Sequence, residues 1–78
     1  MKTTSYFDFR HHQPDRAWIQ DEWIEQTIAD PVAREVQSDG RIRLWRKIEQ
    51  AEGRYLRVIL LRDEQTVHHA FFDRDYKE

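Results

Sequence analysis

The chain has 78 residues, no cysteine and a formal net charge of −2, with 36% charged and 38% hydrophobic residues. A chain of this length makes one small domain that buries only about 60% of the surface its unfolded form exposes, so it is short of core. The lack of cysteine excludes a disulfide framework and a thiolate metal site, no apolar run nears the roughly 20 residues that span a bilayer, and the polar N-terminus lacks the apolar region of a signal peptide; a soluble, cytoplasmic protein without a membrane contact is expected.

In chain order, residues 4–9, TSYFDF, alternate enough to suggest a short strand. From Pro14 to about Ala29 the period is helical: Ala17, Ile24 and Ile28 fall near one face and Ile19 with Trp23 widen it to a stripe. Pro14 suits a first helical position, Asp15 and Asp21 suit the positive N-terminal half, and Asp30-Pro31 supplies a stop. Beyond Pro31 the period falls to two. Strands are expected at about 33–38, 41–50, 54–62 and 66–72, with turns at Asp39-Gly40, Ala51 to Gly53 and Asp63 to Gln65. Turns this short imply antiparallel neighbours. The expected fold is α+β: one or two N-terminal helical segments on one face of a four-stranded antiparallel meander, with or without a short N-terminal strand.

Charge is distributed unevenly. Residues 1–40 hold four Lys/Arg against eight Asp/Glu, whereas residues 41–78 hold nine against seven. Between 41 and 62, Arg41, Arg43, Arg46, Lys47, Arg54, Arg57 and Arg62 meet only Glu49 and Glu52, which predicts a local basic surface. On the second strand Ile42, Leu44 and Ile48 point one way and Arg41, Arg43, Trp45 and Lys47 the other, with Arg46 interrupting the apolar side. On the third, Leu56, Val58 and Leu60 oppose Tyr55, Arg57, Ile59 and Leu61. If the helix covers the Ile42/Leu44/Leu56/Val58 face, then Arg43, Trp45, Lys47, Tyr55 and Arg57 share the uncovered one. Cations beside aromatic rings suit phosphates and unstacked bases. Long basic side chains also cover the wet face of an antiparallel sheet without any ligand. Both readings stand on pattern alone.

Four histidines lie in two pairs, His11-His12 and His68-His69. Without helical spacing or an accompanying cysteine they make a weak metal signal, and proton transfer is the better-motivated role. Adjacent strand residues face opposite ways, so only one of His68 and His69 joins the basic face. No serine has the setting of an activated nucleophile, and there is no glycine-rich phosphate loop. Trp18, Trp23, Phe71 and Phe72 are more aromatic surface than so small a core readily hides; Trp23 and Phe71 are expected inside, with Trp18 and Phe72 open to either placement, including a homo-oligomer contact.

The run Arg16, Ile19, Trp23, Ile24, Ile28, Asp30 and Pro31, the following basic strand, GRYLRVILL at 53–61 and TVHHAFFDR at 66–74 together resemble the small RelE/BrnT-like toxins of bacterial type II toxin–antitoxin modules, across almost the whole chain. The resemblance implies a barnase-like fold and a metal-independent endoribonuclease that cleaves mRNA, on or off the ribosome, and is covered by a small cognate antitoxin of acidic character. It matches Arg57 to a central-strand catalytic arginine, Lys47 and Arg43 to the preceding basic strand, His68 or His69 to proton transfer, and Tyr76 to a C-terminal tyrosine. Catalysis is then expected from Arg57, Lys47, His68 and His69, and RNA contact from Arg41, Arg43, Trp45, Arg54, Tyr55 and Tyr76, without cofactor or metal. The alternative is a non-enzymatic module of the same fold whose basic face binds an acidic partner protein.

Overall fold

The structure, a computed structural model, describes residues 1–78. Two helices, α1 (Ser5–His11) and α2 (Asp21–Ala29), precede four strands, β1 (Ala33–Val36), β2 (Ile42–Ile48), β3 (Arg54–Leu60) and β4 (Val67–Phe72), with a short 3-10 turn at Glu49–Ala51. The strands form one antiparallel sheet in the order β1-β2-β3-β4, as the short turns require. No helix is long and apolar enough to cross a membrane.

Two sequence expectations change at the N-terminus. Residues 5–11 are helical because Thr4 caps them: its Oγ1 accepts from Phe7 N at 3.0 Å, and Asp8 N bonds Thr4 O at 3.0 Å. The strand-like contact lies earlier, at an isolated parallel bridge between Thr3 and Val67. The second helix begins at Asp21, seven residues past Pro14, because its expected first turns are bonded otherwise. A continuing α-helix would give the Asp15 carbonyl to Ile19 N. Here Ile19 N bonds Arg16 O at 3.0 Å, and the Asp15 carbonyl accepts from Trp18 Nε1 at 3.1 Å. Residues 12–19 therefore run as turns, with Ala17 exposed and Ile19 turned into the core.

The core lies between α2 and one sheet face. Trp23, Ile24 and Ile19 pack on Ile42, Leu44, Ile48, Leu56, Val58 and Leu60, with Phe7 of α1, Val67 and Ala70 closing the β4 side. Burial of each such side chain is worth roughly 1.5–3 kcal/mol. Arg46, the polar interruption on this face, reaches past the end of α2, where its Nη1 donates to the Asp30 carbonyl at 2.7 Å and to its carboxylate at 3.1 Å. A cation there satisfies a terminal carbonyl and opposes the helix dipole.

The β1–β2 hairpin turns at Gly40, which adopts φ +89°. An added Cβ would lie 2.5 Å from Arg62 Nε, which is itself held by the Asp39 carbonyl at 2.8 Å. Gly40→Ala should therefore lower unfolding stability by about 1–3 kcal/mol, through a left-handed backbone and a displaced guanidinium. A urea melt reads this shift, and an unchanged midpoint would contradict it.

Candidate functional site

The register sorts the side chains of the face opposite α2 into rows. Glu35, Arg43, Ile59 and His69 align across the four strands; Ala33, Trp45, Arg57 and Phe71 form the next row; Lys47 and Tyr55 form the third. Arg43, Lys47 and Arg57 thus share one uncapped side, as the period-two reading requires. The cations are not bare, however. Arg43 Nη1 donates to Glu35 at 2.8 Å, Lys47 lies 3.8 Å from Glu49, Arg41 3.7 Å from Asp39 and Arg57 3.5 Å from Asp73. Each basic group meets an acid supplied by a neighbouring turn, strand or the C-terminal segment, so the face is a lattice of ion pairs.

The β4 histidines are separated by a bulge. Ile59 pairs with His69 while Leu60 pairs with Val67, which leaves His68 as the extra residue. Without the bulge, Val67 and His69 would share a face. With it, Val67 is fully buried in the core while His69 stands on the open side. His68 is turned toward α1, its ring stacked on Tyr6 at 4.9 Å and its Nδ1 3.1 Å from Thr4 Oγ1.

His69 gathers groups from three other elements. Arg16, from the turns between the helices, donates from Nη1 to His69 Nε2 at 2.8 Å. A guanidinium cannot accept, so Nε2 is the acceptor and the neutral ring carries its proton on Nδ1. Phe71 lies 4.7 Å from the imidazole, and the Arg16 and Arg57 guanidiniums lie 5.2 and 5.3 Å from the Phe71 ring centroid. Tyr6 of α1 meets the imidazole edge-on at 5.5 Å. Burial, followed by the charges of Arg16 and Arg10, the neighbouring His68 and Arg57, pushes the His69 pKa down from 6.5 to about 4. His68 is also lowered, by burial and then Arg41.

Arg57 is the pivot of the second row. Its guanidinium lies 5.6 Å from the Trp45 ring centroid, and Asp73 Oδ2 accepts from Trp45 Nε1 at 3.0 Å and from Arg57 Nη1 at 3.5 Å. Burial works against the Asp73 charge, but the Trp45 indole, the Asp75 amide and Arg57 outweigh it and hold the carboxyl below its ordinary pKa. Arg57 Nε is buried with no hydrogen-bond partner.

Several sequence assignments are corrected by this geometry. Trp45 is no base platform: Tyr76 stacks on it at 5.0 Å and leaves it 7% exposed, so both rings are already occupied by each other. Lys47 stands two rows and two strands from His69, about 13 Å along the strands and about 10 Å across them, too far to act on the same phosphate. Arg54 pairs with Ile48 and so belongs to the helix side, with its exposed end reaching the rim of a cleft it shares with Tyr55. Arg41 sits by the β3–β4 turn with Arg62 and Asp63. The four histidines do not converge: His11 lies 3.6 Å from Asp21 and His12 bonds the Asp8 carbonyl, and no three potential metal ligands meet.

Sequence reasoning missed Tyr6, Arg10 and Asp73, and placed Arg16 only within a helix motif. The one available signal was Arg16 itself, an arginine next to the expected apolar stripe. No family model matches this chain, and no curated protein or solved structure matches it significantly.

Because folding excludes a proton from His69 that the unfolded chain binds, stability is expected to fall as pH drops from about 6.5 to about 4, with His68 acting in the same direction. Thermal melts of His69→Gln across that window should show a shallower loss of Tm than the parent chain. An identical slope in both proteins would contradict the lowered pKa.

Proposed function

We propose that this protein is a metal-independent endoribonuclease whose site is centred on His69, Arg16 and Arg57, in the manner expected of a RelE/BrnT-like toxin. The observation that carries the reading is the Arg16 to His69 hydrogen bond at 2.8 Å with Arg57 across the Phe71 ring. A neutral imidazole beside two cations has the parts needed for transesterification by the RNA's own 2′-hydroxyl.

In this reaction His69 takes the 2′-hydroxyl proton once Arg16 turns from Nε2 to the phosphate. The 2′-oxygen then forms its bond to phosphorus, and the bond to the 5′-oxygen breaks. Arg16 and Arg57 stabilise the charge that builds on the phosphoryl oxygens. The leaving 5′-oxygen takes its proton from the Tyr6 hydroxyl, whose ring stands edge-on to the His69 imidazole. A base with a pKa of about 4 is unprotonated throughout the neutral range, so the base limb of the rate profile should lie well below pH 7. Asp73 is the resident counter-anion of Arg57, 3.5 Å away, and a phosphate that reaches Arg57 competes with its carboxylate.

The second reading is a binding module for an acidic partner chain, such as a small antitoxin. Asp73 favours it, because its carboxylate already sits between Trp45 and Arg57 as a partner's carboxylate would.

A gel assay of RNA incubated with the purified protein in EDTA separates the two. Cleavage is expected, falling by at least about 100-fold in both Arg57→Ala and His69→Gln while their far-UV circular dichroism is retained. Undiminished cleavage in either folded variant removes this site assignment. Absence of cleavage, together with salt-sensitive capture of an acidic partner, favours the second reading.

A further inference from the structure

Next to the His69 cluster, a cleft of about 650 Å³ opens between the turns that follow α1 and the C-terminal segment. That volume lies within the range of sites that accept small ligands. Its walls carry Trp18, Tyr55, Phe72 and Tyr76, its rim the cations Arg54 and Arg74, and it shares Arg16 and Phe71 with the candidate site. Two carboxylates also line it. Asp15 is engaged by Arg10 at 3.6 Å and Arg16 at 3.4 Å, and Asp73 by Arg57 and Trp45. Arg74 forms no ion pair.

Trp18 is the notable wall. The indole is 45% exposed, yet it is fixed on three sides: it stacks on Phe72 at 5.1 Å and 12°, meets Trp23 edge-on at 6.0 Å, and donates from Nε1 to the Asp15 carbonyl at 3.1 Å. The same Nε1 bond ends the helical path of residues 12–19, so the backbone is broken in the geometry that presents the ring. A large aromatic surface that is both exposed and immobilised loses little further entropy on stacking, which is what a sequence-tolerant base platform requires. The cations around it match a phosphate backbone leaving either side of such a base.

We infer that Trp18 is the stacking platform for one unpaired base of a single-stranded RNA whose neighbouring phosphate lies at Arg16 and His69. This rests on the ribonuclease reading and names the substrate as unpaired RNA. The platform reads the π-face of the base, not its hydrogen-bonding edge, so affinity depends on a base being present more than on which base it is.

The test uses the whole protein and a labelled 2′-O-methyl oligoribonucleotide, whose capped nucleophile prevents cleavage, followed by fluorescence anisotropy. Trp18→Ala should weaken binding by about 5- to 150-fold, and Trp18→Phe should retain most of it. A second strand with abasic residues should bind the parent protein as weakly as it binds Trp18→Ala. Equal affinities of parent and Trp18→Ala for the intact strand, or an equal loss by Trp18→Ala on both strands, would overturn the inference. So would a parent protein that binds neither strand at low salt. Trp18-dependent binding without cleavage of uncapped RNA leaves the platform standing and removes the catalytic reading. Cleavage with Trp18-independent binding does the reverse.

Discussion

A guanidinium lying against two aromatic rings organises the open side of this sheet. Helix α2 covers only one face, and the other would ordinarily be left to water. Arg57, on the central strand β3, instead lies over Trp45 of β2 and Phe71 of β4, and Asp73 ties it to the Trp45 indole. Cation–π contacts of this kind are worth about 0.5–2 kcal/mol each, more when water is excluded. Once Arg57 is so placed, Tyr76 has a ring to lie on and the C-terminal segment closes over Trp45. A domain short of core thus gains a second, smaller apolar layer built on a charged residue.

The same arrangement fixes the geometry of the proposed site. Arg57 cannot wander, since its rings hold it from two strands, and Arg16 arrives beside it from the turns that replace the start of the expected helix. The bulge at His68 then lets one histidine face these cations while Val67 stays in the core. A donor fixed before a substrate arrives, as Arg57 is, stabilises developing charge most effectively. The proposed base platform follows from the turn that also supplies Arg16: the bond from Trp18 to the Asp15 carbonyl breaks the helix and positions both residues.

How much of this was legible in the sequence depends on the range of the interaction that decides each feature. The meander and its two faces follow from period-two patterning, and β2 and β3 carry the expected residues on the expected sides. Tyr6 and its neighbours have the alternation of a strand yet form a helix, because six alternating residues weigh less than one capping threonine. The helix from Pro14 failed at Trp18, where a side chain takes the carbonyl that the next turn needs. Trp45 was rightly assigned to the open face, but its burial comes from Tyr76, thirty-one positions away, and no local period reports such a contact. The orientation of His69 hinges on one extra residue in β4, which side-chain alternation cannot reveal. The acids that neutralise Arg43 and Arg57 lie on a neighbouring strand and on the C-terminal segment.

Everything proposed for the open face depends on His69 being a neutral acceptor for Arg16. Long-range nitrogen–proton NMR correlations of the histidine rings, followed through a pH titration, test it most directly. A His69 ring that keeps its proton on Nδ1 and takes up a second one only near pH 4 is the expected result. A ring protonated on Nε2 at neutral pH, or one that titrates at 6.5 like an unperturbed imidazole, would contradict it.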